Sequence, residues 1–214
     1  MKHYGFFRSS ASYRLRIGLN LKGLACEYVP VHLSKGGGEQ FTPAFAALNP
    51  QHLVPVLDDD GRVLTQSLAI LEYLDEMHPE PPILPRDPAG RARVRALAQV
   101  VDCDIHPIDN LRVLNYLRNE LKASDDAVNA WYRHWVGLGL SAIEALLAGN
   151  PDTGRFCHGD APGLADICLV PQVFNAQRFK CPLDGYPTIV RIHEACQKLD
   201  AFDRARPERQ PDAA

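Results

Sequence analysis

Near the N-terminus, the run Phe7-Arg8-Ser9-Ser10-Ala11-Ser12-Tyr13-Arg14-Leu15-Arg16 crowds serine hydroxyls and arginines into a place where a short apolar stretch gives way to a helical pattern. The first N–H groups of a helix have no partner inside it, and the helix dipole is positive at that end. Hydroxyls, guanidinium groups and unpaired amides together suit an anion. The plain alternative is that Ser9 only caps the helix, as serines commonly do. A second polar group, Asp104, His106, Asn110 and Arg112, lies in one helical stretch, with 106 and 110 spaced to share a side. Cys103-x-x-His106 offers two metal ligands without a partner cluster, so no metal is expected. Gln66 and Ser67 open a further helix with Ser67 as its cap, a second setting that receives a carboxylate.

The elements that must hold these groups are legible from patterning. An apolar start from His3 to Phe7 precedes a helix over Ser10 to Lys22, closed by Gly23. Cys26 to Leu33 alternates as a strand, and Pro30 places it at a sheet edge. A triple-glycine loop from Ser34 to Gly38 precedes a short helix over Phe41 to Leu48. Leu53 to Leu57 and Arg62 to Thr65 read as strands joined by Asp58-Asp59-Asp60-Gly61, a hairpin turn. Ile70, Leu71, Leu74 and Met77 then follow helical spacing. This βαβ then ββα order predicts a small α/β domain over residues 1–79. Pro79, Pro81, Pro82, Pro85 and Pro88 make residues 80–88 an extended linker. Only helical patterns follow in 89–214: Ala89 to Asn119 with a kink at Pro107, Asp125 to Leu147, Leu164 to Phe179 around Pro171, and Thr188 to Leu199. Arg206 to Ala214 reads as a mobile or surface-draped tail, and Arg16 as a surface charge on the first helix.

The 214 residues suit one large or two small domains, and 46% hydrophobic with 23% charged residues is ordinary for a soluble protein. A net charge of −3 offers no basic stripe for nucleic acid, so any pull on anions is local. No run approaches the roughly 20 apolar residues of a membrane span, and the start lacks a signal peptide's apolar region. The six cysteines are scattered, which reads as reduced, mostly buried thiols and a cytoplasmic default.

The signature Arg8-Ser9-Ser10-x-Ser12-x-Arg14-x-Arg16 resembles that of the zeta class of glutathione transferases. Leu48-Asn49-Pro50, Leu53-Val54-Pro55, Gln66-Ser67-Leu68-Ala69-Ile70, Asp104-Ile105-His106-Pro107, Leu169-Val170-Pro171-Gln172 and Arg178-Phe179 extend the likeness from about residue 3 to residue 202. The resemblance implies a thioredoxin-like N-terminal domain plus an all-α C-terminal domain, glutathione as cofactor, and a homodimer. It implies that Ser9 donates a hydrogen bond to the glutathione sulfur. A free thiol has a pKa of about 8.5. A helix N-terminus (up to ~2 kcal/mol) and a bond to a charged group (~1.5–3 kcal/mol) together lower it by roughly two units, at ~1.36 kcal/mol per unit.

By the same resemblance, Ser10, Ala11, Ser12, Tyr13 and Arg14 surround the cofactor, Gln40 reaches it from a mobile flap, and Val54-Pro55 is a cis-proline turn at its cysteinyl part. Gln66 and Ser67 hold the γ-glutamyl carboxylate, and Asp104, Ile105, His106, Asn110, Leu111 and Arg112 line the cofactor and substrate pocket. Arg8, His106, Arg112 and Arg178 would take the dianionic substrate, since arginine grips carboxylates in a bidentate fork. The activity implied is glutathione-dependent cis–trans isomerisation of maleylacetoacetate, or alternatively of maleylpyruvate, or conjugation of small halogenated acids. Two positions depart from the family pattern: Ala11 stands where many zeta enzymes carry cysteine, and Gly163 replaces the threonine of a helical capping box.

Overall fold

The apolar start of the chain becomes strand β1 (Lys2–Gly5), with His3 and Gly5 turned inward. The structure, a computed structural model, describes residues 1–213, which divide into two units: residues 1–83 with the segment from Lys198 onward, and residues 84–197.

In the first unit, helix α1 (Ser10–Leu21) carries the chain from β1 to the parallel strand β2 (Glu27–Pro30), and Gly23 turns the corner at φ +63°. A left-handed backbone there is cheap only for glycine. Pro30 sits at the outer edge of the sheet as expected, where no neighbour needs its missing N–H. After helix α2 (Pro43–Leu48), strands β3 (Val56–Asp59) and β4 (Arg62–Thr65) complete the order β2-β1-β3-β4, with β3 antiparallel to both neighbours. Asp58 Oδ1 accepts the Gly61 N–H at 2.7 Å and closes the hairpin. Helix α3 (Ser67–Met77) returns across the sheet. Leu15 and Leu19 of α1 pack with Leu57, Ile70 and Leu74 on one face, and Phe6, Val31, Phe45, Val54 and Val56 fill the other. This is the thioredoxin-like arrangement the resemblance implied.

The second unit is helical. Asp87 caps α4 (Pro88–Gln99) by accepting the Gly90 N–H at 2.7 Å. The chain continues through a π-helical turn, Val100–Ile105, into α5 (His106–Asp109). The expected kink at Pro107 is therefore a wide turn placed before it. A proline ring clashes with the carbonyl four residues back, and widening the preceding turn relieves this. The break itself comes at Asn110 (φ −77°, ψ 166°), which leaves the helix and caps α6 (Leu111–Asn119) by accepting the Val113 N–H at 3.2 Å. Helices α7 (Asp125–Leu147), α8 (Leu164–Arg178) and α9 (Pro187–Gln197) follow, with α8 buried along most of its length. Gly163 supplies no hydroxyl, yet Asp166 keeps its half of the capping box, accepting the Gly163 and Cys157 N–H groups at 2.9 Å each. Glu144 of α7 accepts the N–H groups of Thr188 and Ile189 at 3.0 Å, closing the start of α9.

Helix α10 (Asp200–Ala205) belongs to the first unit and packs on α1, where Asn20 donates to the Ala201 carbonyl at 2.9 Å. The tail is tied down, which is the surface-draped and not the mobile form of the expectation. Asp212 Oδ2 accepts the Phe7 N–H at 3.0 Å and the Tyr28 hydroxyl at 3.1 Å. Arg16 is likewise not a surface charge. It is buried and donates to the carbonyls of Ala205 and Phe7 at 2.9 Å each. The tail and Arg16 owe these settings to distant partners: Asp212 lies 205 residues from Phe7 and 184 from Tyr28, and Ala205 lies 189 from Arg16, beyond any local pattern. Four of the cysteines are buried and all six are free thiols. Among the described residues no helix is long and apolar enough to cross a membrane.

Candidate active site

Ser9 sits where β1 has ended and α1 begins. Its backbone is extended, and its Oγ accepts the Ser12 N–H at 3.2 Å, so it is the helix cap. Capping uses the oxygen as acceptor and leaves the hydroxyl proton available to donate, so the two roles are compatible in one side chain. A turn closed by the Ser9 N–H on the Phe6 carbonyl, 3.0 Å, presents Arg8 to solvent, its guanidinium 5.0 Å from the Phe7 ring centroid. Ser10, Ala11, Ser12 and Tyr13 are buried, and Ser12 Oγ accepts the Phe6 N–H at 3.3 Å.

The second helix start is linked to the first. Arg14 has no exposed surface, and its Nη1 donates to Ser67 Oγ at 3.1 Å. Arg14 thus faces Ser67 from inside the unit. The expectation that Ser67 caps its helix is corrected: Gln66 holds the cap position at φ +70°, and Ser67 is the first helical residue, its hydroxyl oxygen engaged by Arg14. The exposed Gln66 side chain donates to Gln51 Oε1 at 2.9 Å, which brings in a residue the sequence did not single out. The Val54–Pro55 peptide is cis, as expected. Gln40 is buried, donates to the Leu33 carbonyl at 3.1 Å, and keeps Oε1 buried without a hydrogen-bond partner among the described residues.

The helical unit carries the remaining candidates. Asp104 and Arg112 are exposed, Ile105 is buried, His106 is half-buried, and Leu111 is exposed at the start of α6. Because the chain leaves the helix at Asn110, the i, i+4 relation assumed between His106 and Asn110 does not hold. Arg178, at the end of α8, lies with its guanidinium 4.7 Å from the centroid of Phe179, whose ring stacks on Tyr132 at 3.7 Å. Asp109 was not foreseen. It is buried, neither carboxylate oxygen has a hydrogen-bond partner among the described residues, and burial pushes its carboxyl up to about 7. No local signal separates it from an ordinary acidic residue before a helix cap.

The two helix starts of the first unit bring together hydroxyls, amide side chains and N-terminal turns, without a cysteine at the start of α1. A family model described as glutathione S-transferase, N-terminal domain, matches residues 4–82. A maleylpyruvate isomerase from a Ralstonia species is 55% identical over 214 residues, covering all of both chains. A solved holo structure of maleyl pyruvate isomerase, described as a bacterial zeta-class glutathione transferase, superimposes with a TM-score of 0.97 at 55% identity over both whole chains. The maleylacetoacetate isomerase of Methylobacterium extorquens AM1, solved with bound malonate and glutathione, gives 0.96 at 45% identity, again over both whole chains. The chain belongs to the zeta class of the glutathione transferase family.

Proposed function

We propose that this chain is a glutathione-dependent cis–trans isomerase of maleyl keto acids, acting on maleylpyruvate or maleylacetoacetate. One observation carries the reading: Ser9 caps α1 through its oxygen and keeps its proton to donate, beside the exposed Arg8, in a chain of this class. When bound, glutathione supplies a thiolate that adds reversibly to the cis double bond, so that the bond turns as a single bond before the thiolate is expelled. The Ser9 hydroxyl and the positive end of α1 stabilise the negative sulfur. Gln66 and the Ser67 helix start hold the γ-glutamyl carboxylate, with Arg14 fixing Ser67 from below. Gln40, Val54 and Pro55 face the peptide part, while Ser10, Ala11, Ser12 and Tyr13 form the wall from which Ser9 projects.

Arg8 in the first unit and Arg178 in the second are the groups we assign to binding substrate carboxylates, and Arg112 and His106 those we assign to the charge that develops on the keto oxygen, each by its own chemistry. Asp104, Ile105, Asn110 and Leu111 border that region. The buried Gln40 Oε1 supports a fit to a peptide ligand, since an orphaned acceptor gains from an incoming N–H. We extend the reading to a cytoplasmic homodimer, which sedimentation at working concentration tests. Parallel assays of maleylpyruvate and maleylacetoacetate, with and without glutathione, test the activity. Turnover should require glutathione while total thiol stays constant; falling thiol would replace isomerisation with conjugation.

A further inference from the structure

The turn that delivers Ser9 is held from an unexpected direction. Phe7, two residues before Ser9, has both of its main-chain polar groups bound by side chains. Its carbonyl accepts from Arg16 Nη2 at 2.9 Å, and its N–H donates to Asp212 Oδ2 at 3.0 Å. Arg16 is only 6% exposed and is anchored by a second bond, from Nε to the Ala205 carbonyl at 2.9 Å. Burial lowers its guanidinium to about 10, and the charge of Asp212 opposes that shift. Asp212 also accepts the Tyr28 hydroxyl at 3.1 Å. The segment that carries Asp212 is folded in its own right. Gln210 Nε2 donates to the carbonyls of Arg204 and Arg206 at 2.9 and 2.8 Å, and Arg209 pairs with Asp203 at 2.7 Å.

We propose that the C-terminal tail is a positioning strap for the reacting serine: Asp212 fixes the Phe7 peptide and, through it, the setting of Arg8 and Ser9. This rests on the reading that Ser9 donates to the glutathione sulfur. Asp212 is a positioning residue, since its bonds go to Phe7 and Tyr28. Without its carboxylate, the Phe7 N–H at the start of the turn loses its acceptor. The turn then relaxes, and the bond to the sulfur, which depends steeply on distance and angle, weakens with it.

The test is the pH titration of bound glutathione, followed by thiolate absorbance, together with kcat and KM, in full-length Asp212→Ala, Asp212→Asn and Tyr28→Phe. In Asp212→Ala the titration should move up by about one pH unit and kcat at neutral pH should fall about fivefold to tenfold, while KM for glutathione changes less than about twofold. Asparagine keeps an oxygen that accepts the Phe7 N–H, so Asp212→Asn should stay within about twofold of the parent, as should Tyr28→Phe. A parent titration no lower than that of free glutathione breaks the Ser9 reading and the strap with it. A lowered parent titration that Asp212→Ala leaves in place breaks the strap alone. Equal losses in the Ala and Asn variants, or a loss in Tyr28→Phe matching that of Asp212→Ala, also overturn it, because the Phe7 bond would not be the cause. If Asp212→Ala folds poorly, Asp212→Ser, whose shorter side chain also takes the acceptor away from the Phe7 N–H, replaces it in the same readings, with the same rise of about one pH unit expected and an unmoved titration overturning the strap.

Discussion

Both units carry candidate arginines, and apart from the exposed Arg8 they set them in opposite ways. In the first unit Arg14 is fully buried and Arg16 nearly so, and both point their donors at groups of the protein itself: the Ser67 hydroxyl, and the carbonyls of Phe7 and Ala205. In the helical unit Arg112 and Arg178 are exposed, with the Arg178 guanidinium lying against the ring of Phe179. A buried guanidinium is costly unless its N–H groups are engaged, so its place reflects rigidity rather than ligand contact. An exposed one keeps its fork for a carboxylate. Arg14 and Arg16 thus make a fixed cradle inside the first unit, while Arg112 and Arg178 stand open to solvent on the helical unit. Substitutions in the cradle should cost stability and activity together, whereas those on the open face should cost activity alone.

The sharpest test of that division is Ser9→Ala. Loss of a hydrogen bond to a charged sulfur removes about 1.5–3 kcal/mol of stabilisation, so kcat/KM should fall about tenfold to a hundredfold. The same change removes the α1 cap, about 1 kcal/mol, and should lower the melting midpoint by a few degrees. Activity within about threefold of the parent would remove Ser9 from the mechanism. Next in size is Arg178→Ala, which should raise KM for the dicarboxylate roughly tenfold or more and leave the melting midpoint unmoved. A clear loss of stability there would erase the contrast between the units. Ser67→Ala is the intermediate case. It strips a buried Arg14 N–H of its acceptor, at about 1–3 kcal/mol, so calorimetry should show weaker glutathione binding by severalfold and a midpoint lower by several degrees.

What was legible in the sequence follows the same line between local and distant. Pro30 at the sheet edge, Gly23 at φ +63° and the Ser9 cap depend on neighbours in the chain, and the structure has each where the residues put it; the hairpin is there too, but its turn is shorter than the four residues expected, because Asp58 and Asp59 pair with Val63 and Arg62 in the ladder. Arg16, Asp212 and the Arg14–Ser67 bond depend on residues tens to hundreds of positions away, so periodicity carries no trace of them. The helix break moved from Pro107 to Asn110 because proline's cost is met by a wider turn, and Asn110 offers a stronger local alternative as a cap. Gln66 at φ +70° displaced Ser67 from the cap for a reason outside the local signal: the Ser67 hydroxyl is engaged by a buried guanidinium.

The smallest effect probes a buried carboxyl of the helical unit, Asp109. Its carboxyl ordinarily titrates near 3.8, and burial without partners raises it to about 7. Between roughly pH 4 and pH 7 the folded chain holds a proton that the unfolded chain has released. The folded state binds more protons in that window, so this group makes stability fall as pH rises through it, and the penalty is complete above pH 7. Asp109→Asn removes the titration while keeping the shape. Thermal unfolding should place the variant a few degrees above the parent at about pH 8, with the two converging near pH 4. Parallel curves across that range would mean that the carboxyl is solvated after all. Asp109 would then carry no burial cost to set against that of the arginines of the cradle.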